Sequence, residues 1–488
     1  MAQPSAVVPG GREPSFLEKF LVLRDAPREL WVVYLVKLLE IVAYGLMLGT
    51  VILWLSSDLG FSDAGAGDVY TYWSTVISIV TLLVGSLTDT IGIKRAFLLG
   101  FWISVASRGV LAVSGSPWIA LPFGLLPSAA GIALAVPVMT AAVKAYSTPA
   151  QRSMAFSIFY ALMNVGFAIS GWTFDGVRTR LGEHGTLQLG LLQLSTYQVL
   201  FGLSCIVSIP GLLITWGFLR EGMEHGEDGW VVRERVRPSG SIFATIRTTA
   251  VQTVKLFAAI WGEKTFYKFL GFLCLVVGVR LVFFHMHATF PKFAIRELGD
   301  GAPIGQLWGV LNPVLIVVLV PVVGALTGRI ASYTMVLIGS AICAGAVLLL
   351  CIDPAAYQGL ADGWLGDLIG HRWLGIQGPV NPWYVSIALF AALTSVGEAF
   401  WSPRLYEYTA AIAPKGQEAS YMALSLLPYF LAKFGVGILS GRLLAAYVPE
   451  AGPRDPTTMW IIVAAMAALC PLGLLAFRKQ LRVHEDGR

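Results

Sequence analysis

Glu398 is the residue with the plainest chemistry. It stands in Gly397-Glu398-Ala-Phe-Trp-Ser402-Pro403, and it is the only charged residue from Trp373 to Pro403. A carboxylate in such an apolar run costs at least about 2.5 kcal/mol in lipid unless it is protonated, paired or hydrated, so its presence marks a functional position. It can hold an amine or exchange a proton; a structural pair with Lys433 is the alternative. Glu40 is the second such carboxylate, in Lys37-Leu-Leu-Glu40-Ile41-Val42-Ala43-Tyr44-Gly45. Lys37 and Glu40 are three residues apart on one helical face, so they either pair within the helix or form a proton or substrate relay. Asn164 and the Asn312-Pro313 step are polar groups that lipid does not tolerate alone. They suit spans that line a wet cavity, the alternatives being helix-helix glue and the cap of a kink. His285 and His287 can carry protons near neutral pH, or they are ordinary interfacial residues. Gly85-Ser-Leu87-Thr-Asp89-Thr-Ile-Gly92-Ile-Lys94-Arg95 sets a carboxylate and two cations on a tight turn. These can latch neighbouring helix ends, or they form a plain basic turn.

What positions these residues is a lipid-embedded scaffold. The chain has 488 residues, 56% hydrophobic and 13% charged, with a mean hydropathy of +0.71. Soluble chains run at about 45–50% apolar and about 25% charged, which excludes a soluble enzyme. Outer-membrane barrel strands alternate apolar and polar residues, whereas this chain carries unbroken runs of the roughly 20 residues that a spanning helix needs. The expected fold is an all-α integral membrane protein of twelve transmembrane helices. Proline, glycine and charged turns divide the runs into spans near 29–56, 67–88, 93–114, 117–145, 152–173, 195–219, 266–290, 303–328, 331–352, 382–411, 418–447 and 457–477.

Orientation follows from the basic residues, which cytoplasmic loops retain. With the N-terminus inside, 23 of the 34 lysines and arginines are cytoplasmic, six are outside, and Lys37, Arg108, Arg280, Lys433 and Arg442 lie within spans. Both termini are therefore expected in the cytoplasm, and the protein in the inner (plasma) membrane. The first 28 residues read as a polar tail and not as a cleaved signal peptide. The net charge of +5 is scattered over short loops, so no nucleic-acid partner is implied. The five cysteines have no metal-ligand spacing and read as buried thiols.

The connection of 220–265, polar and then amphipathic, separates a six-span bundle of 29–219 from a second of 266–480, with a tail at 481–488. Gly85-Ser-Leu-Thr88 ends the second span, and Gly324-Ala-Leu-Thr327 ends the eighth, its counterpart in the second bundle. Two such halves resemble the major facilitator superfamily, in which the halves rock around a central site; the Gly85–Arg95 turn is similar to that superfamily's signature loop.

Three further stretches resemble the proton-coupled oligopeptide transporters. They are Ser157-Ile-Phe159-Tyr160-Ala-Leu-Met-Asn164-Val-Gly166 in span five, Leu311-Asn312-Pro313 through Pro321 in span eight, and Gly397–Pro403 with Ala413-Pro414 and Met422 around spans ten and eleven. The resemblance implies that Glu398 and Asn312 hold a substrate amine while Asn164 and Tyr44 line the opposite wall. It also implies that Glu40 and Glu398, with His287 near the family's acidic site in span seven, carry protons. The turn of Asp89, Lys94 and Arg95 would act as a cytoplasmic latch, with Lys37 and Lys433 as further gating charges. Two positions depart from the family: its arginine in span one is Ile41, and its lysine in span four is Val136 before Pro137. The usual cations for a peptide carboxylate are thus missing, and Lys37, Arg108, Arg280 and Lys433 are the possible substitutes.

No phosphate-binding loop, His-Glu-x-x-His or Gly-x-Ser-x-Gly is present, so neither an ATP-driven pump nor a membrane hydrolase is expected. Gly435-Val-Gly437 through Gly441 lies inside a span and is expected to permit close helix packing. The resulting expectation is a monomeric, cofactor-free symporter of protons and a small amine-bearing solute resembling di- or tripeptides. A facilitator for another solute, possibly an exporter, and a transport-inactive sensor or scaffold are the alternatives.

Overall fold

The computed structural model describes residues 22–148, 150–226, 229–232, 247, 251, 264–327, 329–412 and 427–482. Twelve long helices carry the fold. They are α1 (Arg28–Ser57), α2 (Asp63–Ile91), α3 (Ile93–Val113), α4 (Pro117–Ala145), α5 (Arg152–Leu181), α6 (Thr196–Phe218), α7 (Lys264–Ala288), α8 (Gln306–Leu326), α9 (Ser332–Cys351), α10 (Pro382–Ile412), α11 (Leu427–Tyr447) and α12 (Pro456–Ala476). Among the described residues, eleven of these are long and apolar enough to cross a bilayer, all but α2. Local signals fix several ends. Ser195 and Gln198 form a reciprocal capping box at the start of α6, Asp455 caps α12 through the Thr458 amide at 3.0 Å, and Pro117 and Pro456 sit in first turns, where no amide is needed.

Most boundaries fall where the apolar runs place them. The main departure is α5, which continues to Leu181 instead of stopping near 173. Its extra turns carry Asp175 and Arg178, charged residues that end an apolar run in sequence but are buried here because they find partners. A two-stranded hairpin, β1 (Thr186–Leu189) and β2 (Leu192–Ser195), joins α5 to α6. The amphipathic stretch expected at 241–261 lies outside the described residues apart from Arg247 and Val251, as do Ala413-Pro414 and Met422. The five thiols are all free; Cys343 and Cys470 are buried as expected, but Cys274 is exposed on the outer surface of its helix.

Helix neighbours reveal an internal symmetry. In the first six helices α1 packs on α5 and α6, α3 on α4 and α6, and α2 on α4. In the second six α7 packs on α11 and α12, α9 on α10 and α12, and α8 on α10. Adding six to each number of the first set gives the second. The two main contacts between the sets, α2 with α11 and α5 with α8, are also each other's images. The Gly-x-Leu-Thr repeat at the ends of α2 and α8 is therefore the local trace of a repeat in the whole architecture.

Small residues permit both cross-contacts. A Cβ on Gly437 would lie 1.9 Å from Thr71 Oγ1, and one on Gly441 would lie 2.0 Å from the Asp63 carbonyl oxygen. The span-eleven glycines thus serve helix packing, as their place in a span suggested. At the second contact a Cβ on Gly305 would come within 2.6 Å of the Gly171 carbonyl oxygen.

At the end of the bundle opposite the termini, polar groups close the seam. Asp175 of α5 accepts from the Gly305 and Gln306 amides at 2.8 and 2.6 Å. It thereby satisfies free amides at the start of a helix from the other half. Arg178 donates to the Ala302 carbonyl at 2.9 Å and pairs with Asp175 and Glu183. Glu183 also accepts from Tyr197 at 2.6 Å and from the Gly301 amide at 3.2 Å. Asp63 pairs with Lys292 and Arg296, each at 2.9 Å, on the short helix Phe290–Leu298, and Asp68 pairs with Arg442 at 2.9 Å. At the termini end Arg95–Glu221 and Arg220–Glu29 tie the first half to the start of the linker, and Arg404–Glu407 stays within the second half.

Glu183 lies beyond the end of α5, and its protonation tests the seam. Burial by itself raises its carboxyl, but the Arg178 hydrogen bond and charge outweigh this and hold it below its ordinary value of 4.5. Such a group stabilises the seam fully above 4.5, and that contribution is lost as pH falls through the lowered value. Hydrogen exchange over 299–306, corrected for intrinsic rates, is expected to stay slow at pH 4.5 and above and to accelerate as the pH falls below that value in the wild type. Glu183→Gln is expected to exchange fast already at pH 7; protection unchanged by the substitution counts against this role for Glu183.

Candidate functional site

Glu40 is a tightly held carboxylate in the interior of the first half. Its partner is Arg108 of α3, whose guanidinium meets Glu40 Oε1 at 2.8 Å and Oε2 at 3.2 Å and also donates to Ser208 of α6. Arg108 is fully buried, and the Glu40 side chain is 4% exposed. The geometry is bidentate, the strongest arrangement for a carboxylate and a guanidinium. Of the two readings of Lys37 and Glu40, the intrahelical ion pair is not formed: Lys37 stands on the neighbouring turn with its Nζ 4.3 Å from the centre of the Phe159 ring on α5. The physical reason is that Arg108 reaches both carboxylate oxygens at once, which an ammonium three residues away on the same helix does not match.

Ile41 explains why no cation stands at the next position. It faces Gly166 of α5, where an added Cβ would lie 2.6 Å from Ile41 Cγ2. The position is an apolar contact between α1 and α5, and the cation near Glu40 comes from α3 instead. The Val136 side chain lies outside the described residues.

The second half builds its site from α8 and α10. A widened π-turn at Gln306–Val310 leads directly into Leu311-Asn312-Pro313. A proline ring removes an amide and crowds the preceding turn, so the irregularity falls where the sequence puts the proline. Asn312 Nδ2 then donates to Glu398 Oε2 at 3.0 Å and to Ser395 Oγ at 2.9 Å. Among the described residues, the hydrogen bonds of this cluster use Glu398 Oε2 and Asn312 Nδ2 and leave Glu398 Oε1 and Asn312 Oδ1 to accept. Two neighbouring acceptor oxygens are what an ammonium group requires.

Glu398 reaches this place because α10 lies close against α9. A Cβ on Gly397 would be 2.6 Å from Cys343 Sγ, and one on Gly339 would be 2.6 Å from the Gly397 carbonyl oxygen. Arg280 of α7 stacks over Trp401 at 4.3 Å and acts electrostatically on Glu398. Tyr160 of α5 stands in the field of both Glu398 and Arg280, so the cluster faces the first half. The alternative pair of Glu398 with Lys433 is not formed; Lys433 Nζ lies 5.6 Å from the Phe284 ring instead.

The remaining residues fall around these two centres. Asn164 is buried and bonds back to the Tyr160 carbonyl at 3.0 Å, one turn away on α5. Tyr44 packs edge-on against Phe167 with centroids 6.2 Å apart. His287 lines a cavity with about 70 Å³ of water-accessible space between α1, α5, α7 and α8, beside Gly45, Phe167 and Trp308. His285 is fully buried and bonds Thr289 at 2.7 Å. Of the turn residues, Arg95 pairs with Glu221 at the start of the linker at 2.9 Å, Lys94 is half-buried, and the Asp89 side chain lies outside the described residues. Sequence reasoning missed Ser208, Ser395 and the Asp175–Arg178–Glu183 group. The spacing Asp175-x-x-Arg178 was the one available signal for the last of these.

The buried pair gives a direct test. Removing one member of a buried ion pair strands the other and costs about 3–5 kcal/mol. Glu40→Gln and Arg108→Gln are each expected to lower the apparent melting temperature in detergent, and the double substitution is expected to recover most of the loss. Additive losses in that cycle would mean the two side chains do not interact.

The comparisons agree with this architecture. The family model of the Major Facilitator Superfamily matches residues 33–364. "Dipeptide and tripeptide permease A" of Klebsiella pneumoniae (strain 342) is 22% identical over 521 residues, covering 94% of each chain. A solved POT family transporter in complex with 5-aminolevulinic acid superposes with a TM-score of 0.67 at 18% identity, covering 93% of this chain and 97% of that one. A peptide transporter POT in complex with alafosfalin gives a TM-score of 0.68 at 17% identity, covering 93% and 95%.

Proposed function

From the premise that the chain belongs to the major facilitator superfamily, we propose that it is a divergent proton-coupled oligopeptide transporter. It takes up a small amine-bearing solute resembling di- or tripeptides together with protons. All twelve long helices cross the inner (plasma) membrane of the cell, both termini are cytoplasmic, and the working unit is a monomer. The bundles of 29–219 and 266–480 rock about a central site, with 220–265 as the cytoplasmic linker. In that orientation the closed seam at Asp63, Asp175 and Glu183 is external, and the structure reads as a state that faces inward.

The observation that carries this reading is the Asn312–Glu398–Ser395 cluster. A carboxylate and an amide oxygen, side by side and held by neutral donors, form a seat for a protonated amine in a medium where an isolated carboxylate is costly. Tyr44 and Asn164 form the wall opposite. Glu398 serves as proton carrier because its close partner, Asn312, accommodates either charge state. Glu40 is the second carrier, released when its Arg108 pair opens, and His287 relays protons at the cavity between the halves. Asp89, Lys94 and Arg95 gate the cytoplasmic end, and Lys37 and Lys433 respond to solute within.

Proteoliposome uptake under an imposed inward proton gradient tests the reading. Labelled dipeptide is expected to accumulate with the gradient and not without it. Glu398→Gln is expected to lower gradient-driven uptake by about a hundredfold, as loss of a charged contact worth roughly 1.5–3 kcal/mol is compounded by loss of coupling. Accumulation that ignores the gradient, or a Glu398→Gln variant as active as the wild type, sinks the symport reading. No flux of any amine, peptide or drug tested would point to the sensor or scaffold.

A further inference from the structure

Among the described residues, two interior lysines are left over once the ion pairs are set aside. Glu40 is matched by Arg108, Asp68 by Arg442 and Glu407 by Arg404. What remains deep in the described helices is Glu398, on which Arg280 acts, and the two lysines Lys37 and Lys433. Among the described residues neither lysine has a carboxylate within ion-pair distance. The nearest candidate for Lys37 is Glu40, whose two oxygens are both engaged by Arg108. Each ammonium lies instead over a phenylalanine ring, at 4.3 Å for Lys37 and 5.6 Å for Lys433. A cation-ring contact offers about 0.5–2 kcal/mol, whereas withdrawing an ammonium from water costs several kcal/mol. The rings do not offset that cost.

Lys433 stands near the space between the halves, and Lys37 lies on the contact of α1 with α5. Lys37 rests on Phe159, whose neighbour Tyr160 stands in the field of Glu398 and Arg280. Lys433 acts electrostatically on His287, which lines the cavity there. The two lie on opposite halves, one on α1 and one on α11.

We propose that the transported solute carries net negative charge: an amine with at least two acidic groups, of which an acidic dipeptide is the simplest case. The amine sits at Glu398 and Asn312, and the acidic groups engage Lys37 and Lys433. This rests on the amine-solute reading above and narrows it to one charge class. A site with an excess of cations discriminates by charge, because a neutral or basic solute leaves a buried ammonium unmatched.

The test compares Ala-Glu with Ala-Gln, two dipeptides of nearly equal shape that differ by one negative charge. In competition against labelled dipeptide uptake, Ala-Glu is expected to inhibit at least about tenfold more potently, the effect of one charge-assisted hydrogen bond. Lys433→Gln and Lys37→Gln are each expected to narrow that gap to about twofold or less, and Lys433→Arg to restore it. Thermal shift of the wild-type protein gives an answer that needs no variant: Ala-Glu is expected to stabilise more than Ala-Gln at equal concentration. Equal potency and equal shifts overturn the inference while leaving the symport reading intact. A preference that survives in both lysine variants overturns the assignment to those residues, and failure of every dipeptide to bind or move overturns both readings.

Discussion

The structure depends on one constraint: a charge in the membrane interior must have its partner inside the protein. Lipid offers no water to an exposed carboxylate or guanidinium, so each interior charge either finds a counter-group or constrains what surrounds it. Glu40 and Arg108 show the satisfied case. Three helices, α1, α3 and α6, converge on one bidentate pair and one serine hydroxyl, and breaking that convergence strands a buried charge. The pair therefore ties α1, α3 and α6 to one another.

The same rule works differently at the seam. Asp175 satisfies amides at the start of a helix in the other half, and Asp63 bridges α2 to the short helix after α7. These groups lie at helix ends, where water reaches them once the contact opens. Separating them exchanges protein partners for solvent and does not strand buried charge, so such a closure opens at lower cost than the Glu40 pair. Glycines at 171, 305, 437 and 441 let the backbones approach with little side chain to disengage. Charge inside a half fixes structure; charge between halves, at water-accessible ends, permits motion.

This distinction also explains what the sequence could and could not reveal. The twelve helices were legible because apolar runs and proline or glycine breaks act locally, and the Gly-x-Leu-Thr repeat marked the symmetry. The cluster at Glu398 was legible because a lone carboxylate in a 31-residue uncharged stretch, residues 373–403, and an Asn-Pro step are both conspicuous in lipid. The partner of Glu40 was not legible, since Arg108 is 68 residues away and nothing local connects them. Lys37 was the nearer partner to weigh, and the ion pair is with Arg108. The end of α5 was misplaced for the same reason: Asp175 and Arg178 look like a helix terminus until their partners at 183 and 302–306 are known.

The two interior carboxylates are therefore unequal, although the sequence presents them as equals. Glu40 has a partner that suits only its anionic form, and both oxygens are occupied. Glu398 is bonded by Asn312, an amide that can donate to a carboxylate or, after a turn of the side chain, accept from a carboxylic acid. Arg280 acts on it through space and is itself braced by the Trp401 ring. On the proposed mechanism, Glu398 can exchange a proton or an ammonium without dismantling its surroundings, while Glu40 can do so only if α1, α3 and α6 let go together. Local coupling thus falls first on α10, and Glu40 takes part only when the whole first half changes shape.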